Sequence, residues 1–459
     1  MSIQITLLLT TILTVVSAYT PTDHYLINCG TTTPTTDPNH RTFTADTSSP
    51  NFKPNPLSKS LQFHNPETNL TISPIYTSVR VSPYPKPLVY FFKVKEMGVK
   101  LVRLHFRKFE FGVKGIGCHD QFHVVANDYV LMYNFSIGDF STVVVKDFMI
   151  WVDDVDEVVI KFIPLGKSSY AFVNAIEVIS APEDMLEEWS YNKDIRRKRG
   201  YEMLYRVNVG GVKVTPFNDS LWRTWSPDEG FFKSGGSDRK IHFDGRIQYR
   251  VGGASREVCP DNVYNSARVV ESLGGEVVKD NMTWVFPVEK GFSYLVRLHF
   301  CDIASISVGM MFFNVYVNGN LVYENLDLSK VTDYLLASPF YADFVVDGEK
   351  FVDVMRVDIG PSSLSKAHAV DGILNGLEIW KMDNAMKSLG GEVCAGQLES
   401  SNQSGGQVSR LFSLTAAVCL LAIAFLVMRR KAEAKDSVGW SRVPSEIDLK
   451  SNYPKSTAV

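Results

Sequence analysis

The chain has 459 residues, of which 21% are charged, and its net charge of −3 is dispersed along the sequence. Such a balance does not indicate a nucleic-acid surface, since the basic run from Arg196 to Arg199 has no interleaved aromatic residues. No Cys/His spacing typical of zinc is present. We therefore expect no nucleic-acid partner, no metal and no cofactor.

The amino terminus has the pattern of a targeting segment. Residues 5–16 form an apolar run of about a dozen residues, too short to span a bilayer. Val16-Ser17-Ala18 supplies the small residues of a cleavage site. We predict a removed signal peptide over residues 1–18.

The next 360 or so residues contain the same motifs twice, in the same order. The hexapeptide Leu-Val-Arg-Leu-His-Phe occurs in both halves, and two other stretches recur around it. The pairs are 101–106 with 295–300, 25–30 with 205–210, and 173–178 with 374–379. We interpret this as a tandem duplication of one β-rich domain, over residues 19–182 and 203–382, each copy an antiparallel sandwich.

The hexapeptide alternates as a half-buried strand does. Val, Leu and Phe fall on a core face, while Leu, Arg and His fall on a face that we expect to be wetter. Residues 122–130 and 313–322 each predict two short strands around a turn, which in the second copy is the type I′ pair Asn318-Gly319. The polar stretch from Thr31 to Lys59 predicts an irregular loop.

The segment 183–202 is predicted to be a linker. It holds a candidate short helix, Glu183 to Trp189, and ends in the basic run from Arg196 to Arg199. That run could be a processing site for a subtilisin-type protease, or simply a solvated linker. One uncut ectodomain on a gel would exclude processing.

The carboxyl-terminal part predicts a membrane anchor. Residues 383–410 are rich in Gly, Ser and Gln and predict a stalk. Residues 411–428 are about eighteen apolar residues followed at once by Arg429-Arg430-Lys431, the pattern of one spanning helix with a cytoplasmic tail, 429–459. The prediction is a single-pass type I membrane protein.

Covalent chemistry agrees with an exterior location. Five Asn-x-Ser/Thr acceptors begin at Asn69, Asn134, Asn218, Asn281 and Asn402. The disulfide candidates are Cys29, Cys118, Cys259 and Cys301, with Cys394 left over. Their connectivity cannot be deduced from sequence.

Five stretches resemble the ectodomain of plant malectin-like receptor kinases, the class of FERONIA and THESEUS. They are 28–30, 101–106, 260–268, 295–302 and 375–379. The resemblance implies two tandem malectin-like β-sandwich domains, all-β, ahead of the membrane helix. It also implies a receptor at the plasma membrane that monitors wall integrity and growth.

Partners follow from the same resemblance. Members of this family bind secreted cysteine-rich peptides with a GPI-anchored co-receptor, and binding of pectin-like polysaccharide has been proposed. The full-length receptors signal through a Ser/Thr kinase, but residues 429–459 contain no Gly-rich loop, H-R-D or D-F-G motif. We expect a receptor-like protein without its own kinase, or an incomplete gene model, and in either case no enzyme in this chain.

Sugar recognition of the animal malectin type is not expected. Three of its aromatic positions align with Val81, Glu110 and Phe111 in the first domain, and with Val269, Ala304 and Ser305 in the second. Only Phe111 keeps a ring. Asp371 lies near the position of the sugar-binding aspartate, but an Asp before Gly is often a turn residue.

Candidate ligand contacts lie mostly in the second domain. Trp222-Arg223-Thr224-Trp225 has the composition of a binding hot spot, or the two rings cap the sandwich. Tyr264 and Arg268 lie in a family motif, where Arg268 could contact a ligand or could be a buried arginine tied to backbone carbonyls at the domain interface. Two functions remain open, namely a receptor that binds a peptide and a lectin-like tether for wall polysaccharide.

Overall fold

The computed structural model describes residues 19–403 except 54, 63–71, 109–118, 139–141, 154–156, 187–197, 234–237, 272–280, 349–352 and 366–369. The predicted signal peptide, membrane helix and tail lie outside these residues. Of the described residues, none belongs to a helix long and apolar enough to cross a membrane. The described residues up to Asn402 form one compact unit.

The described strands divide between two repeats. The strands of the first repeat are β1 (His24–Asn28), β2 (Thr35–Thr36), β3 (Thr42–Ala45), β4 (Lys59–Gln62), β5 (Ser78–Pro83), β6 (Leu88–Lys93), β7 (Gly98–Arg107), β8 (Phe122–Ala126), β9 (Tyr129–Phe135), β10 (Val143–Val152), β11 (Glu157–Pro164), β12 (Tyr170–Val173) and β13 (Ala175–Ser180).

The second repeat follows the same plan. Its strands are β14 (Tyr201–Asn208), β15 (Ser226–Pro227), β16 (Phe232–Lys233), β17 (Asp238–His242), β18 (Ser266–Glu271), β19 (Met282–Pro287), β20 (Tyr294–Cys301), β21 (Phe313–Val317), β22 (Asn320–Leu326), β23 (Pro339–Val346), β24 (Val354–Pro361), β25 (Val370–Leu374) and β26 (Gly376–Met382).

Helices are few and short. The α-helices are α1 (Asp261–Tyr264), α2 (Leu328–Val331) and α3 (Ala395–Gln403), and the 3₁₀ turns are Asp46–Ser48, Pro74–Tyr76, Glu183–Leu186 and Pro216–Asn218. The first 3₁₀ turn and the strands β2 and β3 occupy the stretch predicted to be an irregular loop. The turn at 183–186 coincides with the start of the predicted linker helix.

The strand pairing of the first half of the chain recurs in the second half. The sheet β6-β11-β8-β9 of the first repeat corresponds to β19-β24-β21-β22 of the second, and β12-β5 corresponds to β25-β18. The register also repeats, since Glu177 lies opposite Arg103 on β7 and Glu378 lies opposite Arg297 on β20. Both Asn318 and Gly319 have positive φ, 49° and 76°, as the predicted type I′ turn requires.

Each repeat encloses its own hydrophobic core. In the first, Val102, Leu104 and Phe106 of the hexapeptide are buried, and in the second, Val296, Leu298 and Phe300. The alternation of β7 and β20 therefore places the predicted face in the core. The prediction of a wetter opposite face is wrong, because loops and ion pairs cover it.

One glycine in each repeat shows why the repeated motif ends as it does. Gly30 and Gly210 have φ of 82° and 70°, and a Cβ added there would lie 2.1 Å from the oxygen of Val79 and 2.3 Å from that of Ala267. Only glycine fits a left-handed conformation this close to a backbone.

The two repeats share a sheet. The strand order β2-β3-β1-β13-β7-β10-β14-β26-β20-β23 runs across both, with β15 added on β14. At the junction Phe148 pairs with Glu202 and Met149 with Tyr201. A third apolar cluster, which includes Met149, Tyr201 and Trp380, packs at this seam.

The chain returns to the first repeat after β26. We call residues 383–403 the return segment. Leu389 joins the first core and is 1% exposed, while Ala395 and Leu398 of α3 cover Val125, Val130 and Ile163 on the outer face of the β8–β11 sheet. The prediction of a free stalk is therefore wrong for this part, because its apolar side chains are buried against the first repeat.

Candidate functional site

A polar cleft lies above the seam between the repeats. Its volume is about 420 Å³. The shared sheet forms its floor, and the walls come from loops of both repeats. The lining residues are Asp37, Pro38, Asn39, Arg41, Ser73, Ile75, Tyr76, Arg103, His105, Val145, Asp147, Met203, Leu204, Arg206, Pro216, Trp222, Thr224 and Ser226.

Asp147 joins the two repeats on this floor. It accepts hydrogen bonds from Nε of Arg103 at 2.6 Å and Nη2 of Arg103 at 3.1 Å, and from Nη1 of Arg206 at 3.1 Å. Burial opposes the ionisation of Asp147, but the two arginines outweigh it and hold its pKa well below the ordinary value. One carboxylate thus pairs with an arginine from each repeat.

A second buried carboxylate, Glu177, lies next to this bridge. It accepts hydrogen bonds from Arg41 at 2.8 Å and from Arg103 at 3.2 Å. Its other oxygen lies 2.8 Å from Nε2 of His105. The hydroxyl of Tyr76 lies 2.8 Å from the second ring nitrogen of His105. Burial acts to raise the pKa of Glu177, but the opposite effect of Arg103, His105 and Arg41 is stronger and lowers the pKa to about 2. The carboxyl is ionised throughout the physiological range.

The second repeat contains the same cluster of side chains. Glu378 pairs with Arg206 at 2.8 Å and with His299 at 3.3 Å, and Tyr264 pairs with the other nitrogen of His299 at 3.3 Å. Burial lowers the pKa of His299 despite the carboxylate beside it. Because the Tyr–His–Glu cluster recurs in both repeats, we assign it a structural role.

Trp222 is the sequence-predicted residue that the structure places in the cleft. It has a φ of 53°, uncommon for a bulky residue. His24 stacks on its ring with centroids 4.8 Å apart, and the guanidinium of Arg41 lies 5.7 Å from the ring centroid. Trp222 is half-buried, and Thr224 beside it is exposed. These two residues give the cleft a wall that a ligand can touch.

The neighbours of Trp222 are internal. Arg223 is 1% exposed, pairs with Asp219 at 2.9 Å and donates to the backbone oxygens of Glu257 and Val258. The indole of Trp225 donates to the same Asp219 at 3.0 Å. Of the two interpretations of this motif, the structural one therefore describes Arg223 and Trp225.

Arg268 is also internal and has a counterpart in the first repeat. It pairs with Asp228 at 2.6 Å and Asp238 at 2.9 Å, just as Arg80 pairs with Asp46 at 2.7 Å. The prediction that it is buried agrees with the structure, but its partners are carboxylates rather than backbone carbonyls. Because guanidinium forks match carboxylates, this pairing ties each repeat together.

Among the other candidates, Tyr264 and Asp371 do not reach the cleft. Tyr264 and Asp371 are each 0% exposed, and Phe111 lies outside the described residues. Of the malectin-type sugar positions, Val81 and Val269 are buried in the cores. The described residues hold no group of three or more side chains suited to a metal ion.

The modification sites differ in access. Asn134 and Asn218 are exposed, Asn281 is half-buried, Asn402 lies in α3, and Asn69 is outside the described residues. Cys29, Cys259 and Cys301 are buried free thiols, and burial raises the pKa of each. The prediction that these three form disulfides thus differs from the structure. Cys118 lies outside the described residues.

The residues that build the cleft floor are not recognisable from the sequence. Arg103 stands inside the repeated hexapeptide, but nothing in the sequence pairs it with Asp147 on β10 or Arg206 on β14. Such a site appears only when two strands from different repeats become neighbours.

Known proteins share this architecture. The profile of the malectin-like domain matches residues 27–382, which span both repeats. The chain belongs to the malectin-like family. Among its relatives, receptor-like protein kinase HERK 1 of Arabidopsis thaliana is 32% identical over 98% of this chain and 54% of its own length. Receptor-like protein kinase THESEUS 1 of the same plant is 32% identical over 81% of this chain and 43% of its own length.

Solved malectin-like ectodomains have the same fold. The crystal structure of the receptor-like kinase FER matches 81% of this chain and 99% of its own, with a TM-score of 0.69 and 28% identity. A structure of the peptide RALF23 in complex with FER and LLG2 matches with a TM-score of 0.67 and 28% identity, over 82% of this chain and 99% of that one. This malectin-like chain spans about half the length of the curated kinases that it matches.

Proposed function

We propose that this chain is the extracellular ligand-binding part of a plant cell-surface receptor-like protein, anchored by one membrane helix. Its ligand is a secreted cysteine-rich peptide, bound with a GPI-anchored co-receptor. Support comes from the family and from the relative FER, which was crystallised with a peptide and a second protein.

The cleft is our choice for the peptide site. The observation that carries it is a 420 Å³ polar cavity lined by both repeats, with half-buried Trp222 at its wall. Aromatic and arginine side chains around a concave surface are typical of peptide hot spots. The floor arginines are held in place by carboxylates, which fixes the shape of the cleft floor.

A lectin-like tether for wall polysaccharide is the second candidate. Sugar sites commonly stack a pyranose on a ring face, and Trp222 is the half-buried ring of the cleft. However, His24 already stacks on this ring, with centroids 4.8 Å apart, and the guanidinium of Arg41 lies 5.7 Å from the ring centroid. This occupancy favours the peptide over the polysaccharide.

Titration of the purified full chain tests both candidates. Alkalinisation-type peptides and pectin fragments are titrated into the chain by calorimetry. Thr224→Arg obstructs the cleft. Val251→Arg is the matched control, because both positions are exposed and, of the two, Thr224 lines the cleft. We expect saturable peptide binding that Thr224→Arg weakens at least tenfold and Val251→Arg leaves unchanged. Equal effects of both variants would refute the cleft. Pectin binding that disappears at moderate salt would indicate diffuse electrostatics only.

A further inference from the structure

The first repeat covers the edge of one of its sheets with its own chain. β9 is the last strand of β6-β11-β8-β9, and its outer edge pairs in parallel with the return segment. The amide of Val130 donates to the oxygen of Lys387 at 2.9 Å, and the amide of Leu389 donates to the oxygen of Val130 at 2.9 Å. Val130 is consequently 0% exposed.

No described strand pairs with the equivalent edge of the second repeat. Val130 on β9 corresponds to Leu321 on β22, since Ala126↔Tyr129 and Val317↔Asn320 each close a two-residue turn. Among the described residues β22 has no strand partner besides β21, and Leu321 is 46% exposed. An exposed edge strand with an exposed leucine is a template for pairing with another chain.

Backbone geometry leaves this edge ready to bond. Val317 and Asn320 flank the two-residue turn and form a hydrogen-bonded pair. The next residue, Leu321, therefore points its N–H and C=O away from β21. The N–H and C=O of Leu321 correspond to the N–H and C=O of Val130, which form the hydrogen bonds to the return segment.

Charge defines the chemistry of the occupant. Glu324 on β22 is exposed and forms no ion pair with any other described residue. It corresponds to Tyr133 on β9, where a Cβ on Gly391 of the return segment would lie 3.1 Å from the ring. A segment that ran along β22 as the return segment runs along β9 would place its residue i opposite Leu321 and its residue i+3 beside Glu324.

We propose that the outer edge of β22 binds an extended segment of a partner polypeptide by strand addition. The segment runs parallel to β22, with an apolar residue at i+1, as Leu389 is in the return segment. It carries lysine or arginine at i+3, beside Glu324. This surface is separate from the cleft, so it stands whether or not the cleft binds a peptide.

The probe is a fluorescein-labelled peptide with the sequence of residues 385–393 and the change Gly391→Arg, titrated against the full chain in detergent by fluorescence anisotropy. The protein variant Leu321→Pro removes the outward amide, which the β21 ladder does not use. Leu321→Ala is the matched control, because it keeps the amide. An unchanged unfolding temperature of both variants shows that the fold persists.

We expect saturable binding that Leu321→Pro weakens about tenfold or more, as the loss of a backbone hydrogen bond predicts. Leu321→Ala should change it less than about threefold, and a peptide with Gly391→Glu should bind more weakly. The amide of Leu321 should exchange more slowly with peptide bound.

Three outcomes would overturn the proposal. Equal binding to the proline variant would mean that the peptide displaces the return segment from β9 or binds elsewhere. A concentration-dependent dimer that Leu321→Pro abolishes, without peptide binding, would show that a second copy takes the edge. Absence of binding to the unaltered chain would exclude this segment chemistry.

Discussion

Replacing Asp147 by asparagine should loosen the seam between the repeats. The side chain keeps its size but loses its charge, while Arg103 and Arg206 remain 9% and 8% exposed. Removing one partner of a buried ion pair costs about 3–5 kcal/mol. Since the side chain of Asp147 is 17% exposed, we take the lower end, about 3 kcal/mol.

The second repeat provides a matched control. Asp343 pairs with Arg297 at 2.7 Å as Asp147 pairs with Arg103 at 2.6 Å, and its side chain is 16% exposed. Asp343 forms no ion pair with the first repeat among the described residues. Asp343→Asn should therefore be less destabilising than Asp147→Asn, and it should leave the seam intact.

Urea unfolding at pH 7 gives the free energies of unfolding, and hydrogen exchange of Tyr201 and Glu202 reports on the seam. We expect faster exchange there in Asp147→Asn alone. A double-mutant cycle with Arg206→Met should show a coupling of about 1–3 kcal/mol. A destabilisation below about 0.5 kcal/mol, or equal exchange in both asparagine variants, would refute the bridging role of Asp147.

Three further predictions concern buried groups. In the folded chain the pKa of Glu177 is lowered from 4.5 to about 2, so its contribution to stability is present above pH 4.5 and is lost as the pH falls towards 2. Over this range the free energy of unfolding should fall by about 3 kcal/mol more in the unaltered chain than in Glu177→Gln. Parallel curves of unfolding free energy against pH would contradict this. A thiol reagent should not react with Cys29, Cys259 and Cys301 in the folded chain, but it should react with all three after unfolding in urea without reductant. A disulfide between any two of them, found by mass spectrometry, would contradict the free-thiol assignment. Leu389→Ala should cost about 2–5 kcal/mol in urea unfolding, as a large-to-small change in a packed core does, and a cost below about 1 kcal/mol would show that the return segment is not anchored.

Much of the fold could be predicted from sequence because the strong signals are local. Alternation in the hexapeptide placed Phe106 and Phe300 in two cores, and the Asn318-Gly319 pair gave a hairpin. The motifs that resemble the family contain Gly30, Tyr264 and Arg268, which hold each repeat together. They identify the fold for that reason, and for the same reason they do not mark the ligand site.

The cleft could not be predicted, because it depends on a contact between strands far apart in sequence. Arg103, Asp147 and Arg206 come from three strands whose order across the seam no local pattern specifies. The return segment was missed on similar grounds. Its composition is that of a linker, and only the structure shows that Leu389, Ala395 and Leu398 are buried.

Because the return segment packs against the first repeat, the two repeats cannot be separated into independent fragments. The chain contributes to the first repeat both before the second repeat, with residues 19–182, and after it, with the return segment. Neither repeat is therefore a separate module. A cut between residues 187 and 197 would leave two fragments still held by the shared sheet, by Asp147 and by Leu389. Expressed alone, residues 19–182 would bare Val125, Val130 and Ile163 to water, and a soluble version of the first copy would need residues 383–403 grafted back.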